Sequence, residues 1–131
     1  MKRNTQQGFT LIELIMVIVI LGILAATALP KFIDLSSEAE QAAIDGIAGA
    51  AGAAMSINYG GCSLKKHVVG TKCSLVNTCD DVSALLQGDI SAYTVATTAL
   101  ATNGVTASCD VTKIVGAITY SASFTGIGAG I

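Results

Sequence analysis

The sequence has no tryptophan, one proline, one histidine and little charge, with Asp, Glu, Lys and Arg making up 12% of its 131 residues. The single histidine, His67, and four cysteines without a C-x-x-C pair leave no zinc-site spacing. No nucleophile and base stand in a pattern that meets the requirements of an active site, which argues against an enzyme: no catalytic residue, cofactor or metal ligand is expected. Nine acidic residues against seven basic ones leave no specific nucleic-acid site, which would want a basic cluster over the whole domain. Aromatic residues are 5% of the chain although 52% of it is apolar, so the soluble core must be built mainly from small residues.

What the sequence does contain is a long apolar run. Residues 8–30, GFTLIELIMVIVILGILAATALP, carry one charge, Glu13. About 20 apolar residues suffice for a helix to cross the hydrocarbon core of a bilayer. A carboxylate inside such a run costs about 2.5 to 3.5 kcal/mol near the helix centre and less toward an end, so Glu13 calls for a partner. Lys2 and Arg3 precede the run and hold the N-terminus in the cytoplasm by the positive-inside bias. An ordinary secretory signal cut after Ala28, at Ala26-Thr27-Ala28, is the competing reading, but its apolar region would be long and would contain Glu13. A plain membrane anchor leaves the acid unexplained.

Gly8, Phe9, Thr10, Leu11, Ile12, Glu13 and Leu14, after a short polar leader, resemble the processing site of a type IV prepilin, in particular the type IVa group. The resemblance implies cleavage between Gly8 and Phe9 by a prepilin peptidase that also N-methylates Phe9, with Glu13 as the fifth mature residue. It implies that Phe9 and Glu13 serve filament assembly, and that Gly22 and Pro30 weaken the helix where the family places them. Inner membrane, assembly machinery and further copies of the chain in a homopolymer are the implied partners, and an extracellular pilus on the bacterial surface is the implied destination. The motif covers the first third of the chain. Residues 78–109 and 123–127 are similar, more distantly, to the globular half of short proteobacterial pilins of the mannose-sensitive haemagglutinin type. Cys109 lies 22 residues from the last residue, so the family's C-terminal disulfide loop does not transfer directly.

The expected organisation is a leader at 1–8, a transmembrane and filament-core helix at 9–30, an amphipathic helix at 31–60 and a β head with a connecting loop at 61–131. The fold class is α+β, a long N-terminal helix packed by its second half on a small antiparallel sheet. Pro30 removes a backbone donor and should kink or weaken the helix. Beyond it, Phe32, Leu35, Ala39, Ala43, Ile47, Ala50, Ala54 and Ile57 recur at helical spacing and predict the core-facing side. Gly46, Gly49 and Gly52 predict close approach of a second layer, and Gly60-Gly61 predicts the helix end.

Cys62, Cys73, Cys79 and Cys109 in a chain with an export signal point to disulfides. Three pairings are open, and Cys62-Cys73 with Cys79-Cys109 is the favoured one. The first would close a basic loop holding Lys65, Lys66, His67 and Lys72, a solvated loop or a contact surface. Residues 80–88 read as a short capped helix, which accounts for Asp80 and Asp81 without a calcium site shared with Asp89 or Asp110. Alternating residues at 105–112 and 118–125 predict strands, with a third at 93–100 joined through Asn103-Gly104 as a hairpin turn. The glycine-rich tail, 126–131, is flexible in composition and reads as either an extension of the last strand or a frayed end. A structural subunit of a filament is the leading function, a type II secretion pseudopilin is its nearest rival, and a membrane-anchored or secreted ligand-binding protein or enzyme is the rival from another class.

Overall fold

The computed structural model describes residues 8–131. In chain order its elements are helix α1 (Leu11–Leu64), a 3-10 helix (Cys79–Ala84), and strands β1 (Thr94–Val95), β2 (Thr106–Val115) and β3 (Ile118–Ile127). The chain divides into two compact units between Glu38 and Ala39, and α1 belongs to both.

In the first unit every large apolar side chain from Leu11 to Leu24 is at least 42% exposed. A helix apolar on all sides has no wet face, and this one is long and apolar enough to cross a membrane. The helix runs through Pro30 without interruption. Proline's missing N–H still removes one rung of the ladder, and just before it the Thr27 hydroxyl donates to the Leu24 carbonyl at 3.0 Å.

The second unit is an antiparallel sheet ordered β1-β2-β3, with α1 packed on one face. Alternation along β2 and β3 works as the period of two requires: Cys109, Val111, Tyr120 and Phe124 are buried while Ser108, Asp110, Ser121, Ser123 and Thr125 are exposed. The buried stripe of α1 is Ile44, Ala48, Ala51, Met55, Asn58 and Cys62, at steps of three and four. This face is rotated about one position from the expected one, for Ala43 and Ala50 are exposed and Ile57 is 76% exposed. Alanine and glycine surround so much of the helix that only Ile44 and Met55 fix its phase. Of Gly46, Gly49 and Gly52, only Gly52 meets the sheet: a Cβ there would lie 3.8 Å from the Phe124 Cβ. Lys113 on β2 pairs with Glu40 at 2.7 Å and lies 5.4 Å from the centre of the Tyr93 ring. Its hydrogen bond to the Glu40 carboxylate raises the Lys113 pKa above the ordinary lysine value.

Gly60-Gly61 does not stop the helix, which continues to Leu64. Gly61 serves instead for close approach, since a Cβ there would collide with the Lys72 carbonyl. The helix ends on Lys66 and His67, both left-handed at φ 52° and 57°, with the His67 N–H donating to the Cys62 carbonyl at 2.7 Å.

Residues 80–88 form no α-helix; the 3-10 helix Cys79–Ala84 stands in their place. Asp81 Oδ2 accepts from the Thr78 N–H and the Asn77 N–H, each at 2.9 Å, and this capping tightens the turn.

The expected strand at 93–100 is also divided. Thr94 and Val95 pair with Thr112 and Val111 and the Ala96 N–H donates to the Asp110 carbonyl, after which the chain leaves β2; the Thr98 carbonyl then accepts from the Cys79 N–H and the Leu100 N–H donates to the Asn77 carbonyl. Asn103-Gly104 therefore is not a hairpin turn. The tight turn is Gly116-Ala117, closing Val115 on Ile118. Gly116 has φ 63° while Ala117 is not left-handed, the pattern of a type II′ hairpin.

The tail is not free. Val76 and Ala129 exchange two backbone hydrogen bonds, at 2.8 and 3.0 Å, and the Asn103 amide brackets Ile131, donating to its carbonyl at 2.7 Å and accepting from its N–H at 2.9 Å. Gly126 and Gly128 are required by contact rather than flexibility: a Cβ on the first would strike the Cys109 sulfur, and one on the second would strike the Thr102 carbonyl.

Candidate functional site

The chain opens its helix with Thr10-Leu11-Ile12-Glu13, a T-x-x-E pattern directly before an apolar run. Glu13 Oε2 accepts from both the Thr10 N–H and the Thr10 hydroxyl at 2.8 Å, and the Glu13 N–H donates back to the Thr10 hydroxyl at 3.3 Å. This is a capping box. It satisfies two donors that the first helical turn leaves without partners, and it sets the carboxylate where the helix dipole favours negative charge. Sequence reasoning looked for a distant partner for Glu13 and overlooked this near one, although the capping pattern is legible three residues upstream.

Gly8 and Phe9 lie just before the helix; Phe9 is 90% exposed, and nothing lies within 4 Å of a Cβ placed on Gly8. Gly22 is likewise in open space on α1. Chemically, the segment offers an accessible dipeptide, an acid one helical turn beyond it and an apolar surface on every side. Lys2 and Arg3 lie outside the described residues.

The cysteines join as Cys62 to Cys73, with Cα atoms 4.4 Å apart, and Cys79 to Cys109, 5.7 Å apart, and all four are buried. The first bond closes the loop whose Lys65, Lys66 and Lys72 are exposed, while His67 turns inward against Tyr59, ring centres 5.6 Å apart. Buried Asn58 holds this loop from beneath, donating to the Ser74 carbonyl at 2.8 Å and accepting from the Ser74 N–H at 2.9 Å. No reading of the sequence singled out Asn58; a lone amide in an alanine-rich helix is the signal that could have.

Among the described residues, no three His, Cys, Asp or Glu side chains gather where they could hold a metal. Asp81 is spent on capping, Asp89 Oδ1 accepts from the Ser91 N–H at 2.8 Å, and Asp110 lies exposed on β2. The Ser91 hydrogen bond lowers the Asp89 pKa. A groove runs between Asp45, Gly49 and Ser56 on α1 and Ser123 and Thr125 on β3.

Comparison with known proteins accounts for the N-terminal geometry. Residues 3–29 match the family described as the prokaryotic N-terminal methylation motif. The type IV narrow pilus major component PilA5 of Thermus thermophilus is 38% identical over 104 residues, covering 79% of this chain and 78% of that protein. The type IV major alpha-pilin of Moraxella bovis is 54% identical over 43 residues, 33% of this chain and 27% of its own. The type IV major pilin PilE of Neisseria gonorrhoeae is 60% identical over 35 residues, 27% of this chain and 21% of its own. No solved structure matches significantly. Similarity to the Thermus protein extends far beyond the methylation motif, and with the apolar helix and the antiparallel head it shows that the chain belongs to the type IV pilins, structural subunits of surface pili and not enzymes.

Proposed function

We propose that this subunit is cut between Gly8 and Phe9, N-methylated on Phe9, held in the inner membrane by residues 9–30, and then withdrawn into a filament of its own copies by the pilus assembly machinery. The reading rests on one observation above the others: the methylation-motif match spans 3–29 and contains an acid five residues past the cut, in a run that otherwise admits no charge. In the filament core the new ammonium of Phe9 on one copy neutralises Glu13 of another, because apolar packing by itself sets no axial register and an unpaired carboxylate there is costly. Gly22 and Pro30 are the weak points at which the helix yields during assembly.

Mass spectrometry of protein from sheared surface filaments tests the processing. The expected mature chain begins at N-methylated Phe9, and Gly8→Val accumulates uncut in the membrane. A mature chain beginning at Leu29 would mean an ordinary signal peptide.

A further inference from the structure

The β2–β3 hairpin ends in Ile114-Val115-Gly116-Ala117-Ile118, five residues without a polar side chain. Ile114 is 72% exposed, Ile118 52% and Val115 39%. Val115 pairs with Ile118 on one face of the hairpin, and Ile114 lies on the other. Both faces of the tip are therefore apolar, where a solvated turn would usually carry Asn, Asp or Ser.

Register fixes where the tip lies. Phe124 meets Gly52, the Ser121 carbonyl accepts from the Gln41 amide at 3.1 Å, and Lys113 meets Glu40. Going back along β3 thus walks down the helix toward its N-terminal side. Ile118 is three residues further, about 10 Å at roughly 3.3 Å per residue, which carries the tip to the Ala39 end of the head. That is the end at which the chain leaves the head for its apolar run.

We propose that the Ile114 to Ile118 tip is a second membrane contact, seated in the headgroup region of the bilayer that holds the subunit before assembly. The proposal rests on the membrane reading of residues 9–30. Three aliphatic side chains are too few to bind a bilayer unaided, and they fall far short of the roughly 800 Å² per partner of a stable protein interface. Tethering changes this. Only eight residues, 31–38, separate the end of the apolar run from the head, so the tip meets the lipid surface at high effective concentration. The tip itself has no charge to desolvate, and Lys113, the residue before it in sequence, is already engaged by Glu40.

The absence of tryptophan makes a single-probe test direct. Full-length Ala117→Trp, Thr71→Trp and Leu21→Trp proteins are reconstituted separately, at low density, in phosphatidylethanolamine and phosphatidylglycerol vesicles with brominated acyl chains. All three positions are exposed, and Thr71 lies in the loop at the other end of the head's helix. Leu21→Trp and Ala117→Trp should both be quenched, the latter several-fold more than Thr71→Trp. Adding Ile114→Thr and Ile118→Thr to Ala117→Trp should bring quenching down to the Thr71→Trp level with the melting temperature unchanged.

If Leu21→Trp is quenched and Ala117→Trp is not, the tip proposal fails while the membrane reading stands. If Leu21→Trp is not quenched, the membrane reading fails and the proposal with it. Shielding of the Ala117→Trp probe only in assembled filaments would make a second copy the occupant and overturn the bilayer contact.

Discussion

At Glu13 two electrostatic demands meet. Within one chain the carboxylate closes the first turn on Thr10, which makes it locally satisfied before any neighbour arrives. In the assembly proposed above, the same oxygens accept an ammonium, a stronger, charge-assisted partner. Two substitutions separate the roles. Glu13→Gln keeps a capping acceptor at the third helical position and removes the charge, whereas Glu13→Ala removes both. Both variants should be cleaved normally and yield less than about a tenth of the wild-type sheared filament, a loss worth roughly 1.4 kcal/mol or more if yield follows docking equilibrium. Immunoblots of membrane and sheared fractions read this directly, and wild-type filament yield from Glu13→Gln would return the residue to capping alone.

Among the elements, the two disulfides constrain different things. Cys79 to Cys109 spans 30 positions and ties the 3-10 helix to β2, while Cys62 to Cys73 spans 11 and staples the helix end to its own loop. In the chain-entropy model the longer loop stabilises by about 3.6 kcal/mol and the shorter by about 2.8 kcal/mol. Gly126 packs on the longer bridge, so its loss also leaves a gap in the core. Replacing Cys79 and Cys109 together by serine should therefore lower the denaturation midpoint more than replacing Cys62 and Cys73 together; equal losses would undercut the loop-length argument. The long helix and the hairpin strands were legible, the strands because apolar and polar residues alternate along them. Contacts that act through an absent side chain were not. Gly61 reads as a stop and Gly126 and Gly128 read as slack, yet all three are sites of close approach. Asn103-Gly104 carries the local chemistry of a hairpin and loses to the tertiary bonds that Asn103 makes with Ile131. At the N-terminus the acid is conspicuous as a lone charge, while its partner Thr10 is one of many hydroxyl residues and stands out only through the T-x-x-E spacing.

For the whole molecule, the exposed side of α1 is what a filament can use. Ile57 is 76% exposed and contributes nothing visible to the head's core. Ile57→Asp should leave head stability within about 0.5 kcal/mol of wild type. Filament yield should fall several-fold if this side packs on a neighbouring copy. Melting curves and sheared-fraction yields check the two halves, and normal yield would free this side of the helix from the interface. The tail, finally, imposes an order on biogenesis. In the proposed topology the head follows the membrane helix outward in chain order, and the small loop can oxidise once Cys73 has passed. Residues 126–131 then supply the strand partner of Val76, the cover of the longer bridge and the clasp on Asn103. Closure of the head therefore waits for residues 126–131, and until they arrive the chain crosses as an open thread.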